Sequence, residues 1–140
     1  MPPPHSVSVS GVIPDDHGRV LLIQRRDNQH WEPPGVLELP ETIHDGLRRE
    51  IREETGLDIE PDALTGVYKN MPRGIIAMVF RCKITAGHWA TNDEVTAFHW
   101  ADEAAIRQFT SEAFAVRMLD AIDDGTPPAI RHHDGTKLFG

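Results

Sequence analysis

A single cysteine, Cys82, in 140 residues leaves no partner for an internal disulfide and no thiolate cluster for zinc. No apolar run reaches the roughly 18 residues that a membrane-spanning helix needs. The leading Met-Pro-Pro-Pro-His-Ser has neither a basic start nor an apolar stretch, so it does not read as a secretory signal. Positive charge is scarce as well: Lys and Arg total 14 against 22 Asp and Glu, a formal net charge of -8. The longest basic runs are the pairs Arg25-Arg26 and Arg48-Arg49. Long nucleic acids and anionic membranes repel such a chain. The expectation is a cytoplasmic protein with small-molecule partners, and an acidic protein that handles phosphates needs a cation between itself and its substrate.

What is present fits one globular domain of ordinary composition, 39% apolar and 26% charged. Ser6 to Ser10 alternates Ser and Val and runs into Gly-Val-Ile, which predicts a strand with one buried face. Pro14-Asp15-Asp16-His17-Gly18 is a turn, and Arg19 to Gln24 reads as a returning strand, together a hairpin. Asp27 to Pro34 is polar with a Pro-Pro pair and reads as a loop. A helix is expected from about residue 43 to 55, with Thr42 as N-cap and Gly56 as its stop. Strands follow over Leu64 to Asn70, Gly74 to Ile84 and Glu94 to Trp100, then helices over Asp102 to Phe109 and Ser111 to Ile122. Residues 1-5 read as a flexible start, 6-122 as the domain, and 123-140, with Pro127-Pro128, as an irregular C-terminal tail. Strands interleaved with helices indicate an α/β layer fold.

The helix is the informative element. At about 100° per residue, with Glu50 set to zero, Glu53 falls near 300° and Glu54 near 40°. The apolar Ile43, Leu47 and Ile51 fall at about 20°, 60° and 100°, overlapping the carboxylates. The stripe that must face the core therefore carries Glu50 and Glu54 along its edge. Crowded carboxylates at a partly dry surface repel one another, and a hard divalent cation with oxygen ligands relieves that repulsion. The alternative is a solvated face of ion pairs such as Arg49 with Glu53. Periodicity alone leaves both open.

The segment Gly35 to Leu57 resembles the Nudix box, G-x5-E-x7-R-E-U-x-E-E-x-G-U with U apolar. Gly35, Glu41, Arg49, Glu50, Ile51, Glu53, Glu54, Gly56 and Leu57 fill every fixed position of it. Trp31-Glu-Pro-Pro34 and the strand layout extend the resemblance to residues 6 to about 122. The resemblance implies a Nudix α/β/α sandwich with a mixed sheet and a loop–helix–loop catalytic motif. It implies that Glu50 and Glu54 ligate magnesium, for which manganese can substitute, and that Glu53 is a further ligand or the general base. Arg49 and Glu41 match the pair that braces the helix and orients Glu50. Gly35 and Gly56 match turn positions. Two departures stand out: Pro34 occupies a position, often glycine, whose carbonyl lies near the metal, and Pro40 precedes Glu41 where glycine is common. Glu94 resembles a later glutamate that serves as the base in many members.

Arg25 and Arg26 follow a strand aimed at the site and are candidates for holding a substrate phosphate, against surface arginines at a strand end. Trp31 is a candidate for stacking on a base, against a tryptophan packed on the body. The implied reaction is metal-dependent hydrolysis of a phosphoanhydride in a nucleoside diphosphate linked to another group. The short chain leans toward a (d)NTP or modified nucleotide, and Pro72 points faintly toward ADP-ribose or nucleotide sugars. The competing class is a non-catalytic nucleotide-sensing domain, and homodimers are common in the family.

Overall fold

The computed structural model describes residues 2–32, 41–123 and 127–139. Ten elements run in the order β1 (Ser6–Val12), β2 (Val20–Arg25), β3 (Trp31–Glu32), α1 (Ile43–Thr55), β4 (Leu57–Asn70), β5 (Ile75–Gly87), β6 (Val95–Ala101), α2 (Glu103–Phe109), α3 (Glu112–Ile122) and β7 (Ala129–His133). The strands form two sheets, a four-stranded one ordered β1-β5-β4-β7 and a three-stranded one ordered β3-β2-β6. The first is mixed: β4 and β5 are antiparallel, whereas β1 joins β5 and β7 joins β4 in parallel. This is the expected α/β architecture.

Two cores flank the four-stranded sheet. On one face α1 places Leu47 and Ile51 against Val9, Phe80 and Cys82. On the other, Tyr68, Ala77 and Val79 meet Ala115, Met118 and Ala121 of α3. Residues 77 and 79 against 80 and 82 show the period-two alternation of a strand buried on both sides. Leu47 and Ile51 are fully buried, and each such side chain contributes about 1.5–3 kcal/mol. The helix sits close to β1, because a Cβ on Gly11 would stand 2.5 Å from Ile51 Cδ1. Burial pushes the Cys82 thiol up to about 12, as suits a side chain that only packs.

Helix α1 has the expected limits. The Thr42 side chain accepts from the Asp45 N–H, and Gly56 ends the helix at φ 80°. A side chain at Gly56 would also meet the His88 carbonyl oxygen at 2.5 Å, so glycine is required twice over.

Three expectations are corrected. β1 and β2 are not a hairpin, since they belong to different sheets. Antiparallel pairing is confined to the turn between them, where Pro14 bridges Val20. There the Asp15 and Leu21 N–H groups donate to the Arg19 and Ile13 carbonyls, and the Asp15 side chain accepts from the amides of His17 and Arg19. Trp31 and Glu32 form a short edge strand on β2 rather than loop. The tail is not irregular throughout: β7 pairs in parallel with Gly66 to Asn70 of β4. Side chains hold it there, with Asp120 of α3 accepting two hydrogen bonds from Arg131, each 2.7 Å, and one from the Tyr68 hydroxyl, 2.7 Å.

Candidate active site

Helix α1 separates its three glutamates by depth. Glu54 is buried at 6% exposure, the Glu50 side chain retains 14%, and the Glu53 side chain 59%. The helical phase that set Glu50 and Glu54 beside the apolar stripe is thus realised in the packing.

Arg49 gathers the carboxylates. It donates to both oxygens of Glu41 through Nε and Nη2, and through Nη1 to Glu50 Oε2 at 2.7 Å and Glu53 Oε2 at 2.8 Å. One guanidinium therefore faces three carboxylates, and its fork fixes the orientation of each. Glu50 meets it through one oxygen only, and no other partner of Glu50 occurs among the described residues. The donor set is wholly of hard carboxylate oxygens in acid excess, so these residues fit magnesium or manganese. Among the described residues no three of these groups already form a metal cage. Pro34, Gly35 and Pro40 lie outside the described residues.

The cleft beside α1, about 510 Å³, is lined by Arg25, Arg26, Asp27, Glu50, Glu53, Asp93 and Glu94. It thus brings together five of the residues expected from sequence: Glu50, Glu53, Glu94, Arg25 and Arg26. Its arginines are already occupied. Arg25 donates to both oxygens of Asp27, at 3.0 and 2.8 Å, and to Glu32 at 3.3 Å. Burial pushes the Glu32 carboxyl up, and the Arg25 charge opposes that push. Arg26 spends its guanidinium on two backbone oxygens, Asp93 at 3.0 Å and Asn92 at 2.9 Å. Its own N–H donates to the Glu94 carbonyl at 2.8 Å. Arg26 is thus a brace for the loop that carries Glu94.

Trp31 does not line the cleft. Its ring stacks on Phe109, centroids 5.7 Å apart, and meets His99 edge-on at 6.0 Å. This is the packed tryptophan that competed with the base-stacking reading.

Sequence reading missed Asn92. Its Nδ2 donates to the Glu54 carbonyl at 2.8 Å, closing the end of α1, while its Oδ1 accepts from the amides of Glu94 at 2.8 Å and Val95 at 3.0 Å. One amide side chain thereby ties the Glu94 loop to the glutamate helix. The signal available was Thr91-Asn92-Asp93-Glu94, a turn composition in which an Asn side chain commonly bonds nearby backbone. Asp27 and Asp93 were likewise not anticipated, and they add acid to the cleft.

Comparison with known proteins agrees with this geometry. The NUDIX domain family model matches residues 4–122. A MutT-like protein of Streptomyces ambofaciens is 51% identical over 139 residues, covering 99% of this chain and 90% of that protein. An ADP-ribose pyrophosphatase of Methanocaldococcus jannaschii is 34% identical over 105 residues, covering 69% of this chain and 62% of that one. Among solved structures, an ADP-ribose pyrophosphatase from Streptococcus suis superposes with a TM-score of 0.76 at 17% identity, covering 91% of this chain and 99% of that one. With the box complete and the glutamates disposed on α1 as described, the chain belongs to the Nudix hydrolase family, whose members act on nucleoside diphosphate derivatives.

Proposed function

We propose that this chain hydrolyses a phosphoanhydride of a (d)NTP or modified nucleoside polyphosphate, using magnesium held by Glu50, Glu53 and Glu54. The observation that carries the reading is the charge of the cleft. Asp27, Glu50, Glu53, Asp93 and Glu94 oppose only Arg25 and Arg26, and both arginines already have protein partners. A polyphosphate entering such a cleft is repelled unless divalent cations come with it.

Bound magnesium would neutralise the diphosphate and polarise the phosphorus–oxygen bond under attack. The residues of the chain do the rest. Glu50 and Glu54 hold their carboxylates toward the body of the protein, and Arg49, braced by Glu41, keeps Glu50 and Glu53 aligned. Glu53 or Glu94, both on the cleft wall, takes a proton from water as its oxygen bonds to phosphorus. The bridging oxygen leaves with the departing phosphate and its electron pair. Gly56 supports this as the turn that ends α1, and Gly35 and the Pro34 carbonyl belong to the same proposal as turn and metal-side groups.

A second reading, ADP-ribose or nucleotide-sugar hydrolysis, has support in the 34% identity to a protein named ADP-ribose pyrophosphatase. Product release from a panel of nucleoside triphosphates, ADP-ribose and nucleotide sugars, with magnesium or manganese, separates the two. Turnover of triphosphates that disappears in Glu54→Gln supports the first reading. Turnover confined to ADP-ribose or sugars replaces it with the second. A folded, metal-binding protein that turns over none of them is the nucleotide sensor.

A further inference from the structure

A second pocket, of about 580 Å³, lies beside α3 and is lined by Ser8, Asn70, Arg73, Phe114, Arg117 and His133 with the 134–136 turn. It shares no residue with the cleft. α3 covers the opposite face of the four-stranded sheet from α1. Its centre is Arg117, only 8% exposed and in the buried face of α3 between Ala113 and Ala121.

A buried guanidinium is normally paired with a carboxylate. Among the described residues no carboxylate stands within ion-pair reach of Arg117, although the Glu32 charge acts on it through space, and its Nε has no hydrogen-bond partner. The acid one turn along, Asp120, is taken by Arg131 and Tyr68. Asp134 turns Oδ1 onto the amides of Thr136 at 2.9 Å and Lys137 at 2.8 Å. His133 is a poor acceptor for it: Nε2 stands 3.3 Å from Arg117 Nη2, but the Gly135 amide already donates to Nδ1 at 2.9 Å. A neutral imidazole has one acceptor nitrogen and cannot serve both donors. The guanidinium is instead held by aromatic rings, Phe114 at 4.5 Å and Tyr68 at 5.5 Å. Rings on its face leave its Nε–H without an acceptor. Arg73, exposed on the same pocket wall, has no carboxylate partner among the described residues either.

We propose that this pocket binds the phosphate group of a small molecule, with Arg117 and Arg73 supplying the charge and Ser8, Asn70 and Thr136 further hydrogen bonds. Two arginines match a phosphate dianion, where a carboxylate would need one fork. The group can arrive as free phosphate or pyrophosphate, or on a nucleoside monophosphate, and the volume admits any of these.

The test is a titration of the full chain, followed by the arginine Nε–H resonances in nitrogen-15 NMR. EDTA is present so that the cleft holds no divalent ion. The probes are inorganic phosphate, pyrophosphate and adenosine monophosphate. A saturable shift of the Arg117 Nε–H in the millimolar range or below is expected. Loss of that resonance in Arg117→Met assigns it, and the affinity should weaken about tenfold in Arg73→Gln, an exposed site whose substitution leaves the core intact. Glu54→Gln should bind as the parent does. Tighter binding of the monophosphate assigns the group to a nucleotide, and equal binding assigns the free ion. An unshifted Arg117 with all three probes overturns the proposal. So does full-strength binding in Arg73→Gln, or binding that tightens in Glu54→Gln, which would locate the anion beside the glutamate helix.

Discussion

Arg49 and Arg117 are both largely buried guanidiniums, and their surroundings are opposite. Arg49 faces Glu41, Glu50 and Glu53, while Arg117 faces two aromatic rings and a contested histidine. At Arg49 one guanidinium is shared by three carboxylates, a donor set that would suit a cation. At Arg117 the surplus is the guanidinium itself, and the missing partner is an anion. Charge that a fold leaves unbalanced in a partly dry place costs stability until a ligand arrives. The sign of the imbalance names the ligand.

The strongest way to break the comparison is to remove acid from the cleft. Glu54→Gln should lower kcat by about 10²–10³-fold, as expected when a preorganised charge at the reacting group is lost. The check is steady-state hydrolysis of the active substrate class at saturating magnesium, and a loss below about threefold would remove Glu54 from the metal site. Next is Arg49→Met, which removes the guanidinium shared by Glu41 and Glu50, 16% and 14% exposed in their side chains. It should destabilise the metal-free protein by about 3 kcal/mol in urea unfolding. Added magnesium should recover part of that, because the ion replaces the lost positive charge. Equal losses with and without magnesium would mean that the arginine only packs.

Asn92→Ala should cost about 1–2 kcal/mol, the usual effect of removing a side chain that satisfies terminal helix and loop groups. It also releases the Glu94 loop from α1. If Glu94 is the base, kcat should fall while KM changes little, whereas unchanged kcat would leave Glu53 with that role.

The legibility of the molecule follows the range of its interactions. Helix α1 was read to the residue, because Thr42, Gly56 and the glutamate spacing are local chemistry on one element. The placing of Glu50 and Glu54 beside the apolar stripe of α1 was legible for the same reason. What escaped depends on contacts between elements distant in sequence. Nothing near Arg26 announces that its guanidinium is spent on carbonyls at 92 and 93. Nothing in Pro127 to His133 announces pairing with β4, because that strand is fixed by Arg131 reaching Asp120 on another element. Trp31 fits either a stack or a packed ring until Phe109 is brought to it. Arg117 carried a readable signal, a charged residue at the core-facing spacing of Ala113 and Ala121, but which acids Asp120 and Asp134 would serve was settled only by the fold.

The smallest expected effect has the opposite sign to the Arg49 result, and so sharpens the comparison most. Arg117→Met keeps the stem that fills the core and deletes the unpaired charge. In phosphate-free buffer it should stabilise the protein by about 1 kcal/mol, since apolar replacement of a poorly compensated buried charge is commonly neutral to favourable. The lost contact with Phe114 sets the limit on that gain. The same substitution should alter the response to acid. Burial first, and the Arg117 charge second, hold the His133 pKa below its ordinary 6.5. The folded state therefore resists a proton that the unfolded chain accepts at about 6.5. Stability from His133 is complete above about 6.5 and is lost as pH falls through the lower folded value. Without Arg117 that value should rise toward the ordinary one, so the variant should lose less stability than the parent between neutrality and about pH 5. Urea unfolding of both proteins at the two pH values reads the difference. A variant that is destabilised by more than about 2 kcal/mol at neutral pH would show that the rings and His133 already satisfy Arg117, and the asymmetry between the two arginines would not hold.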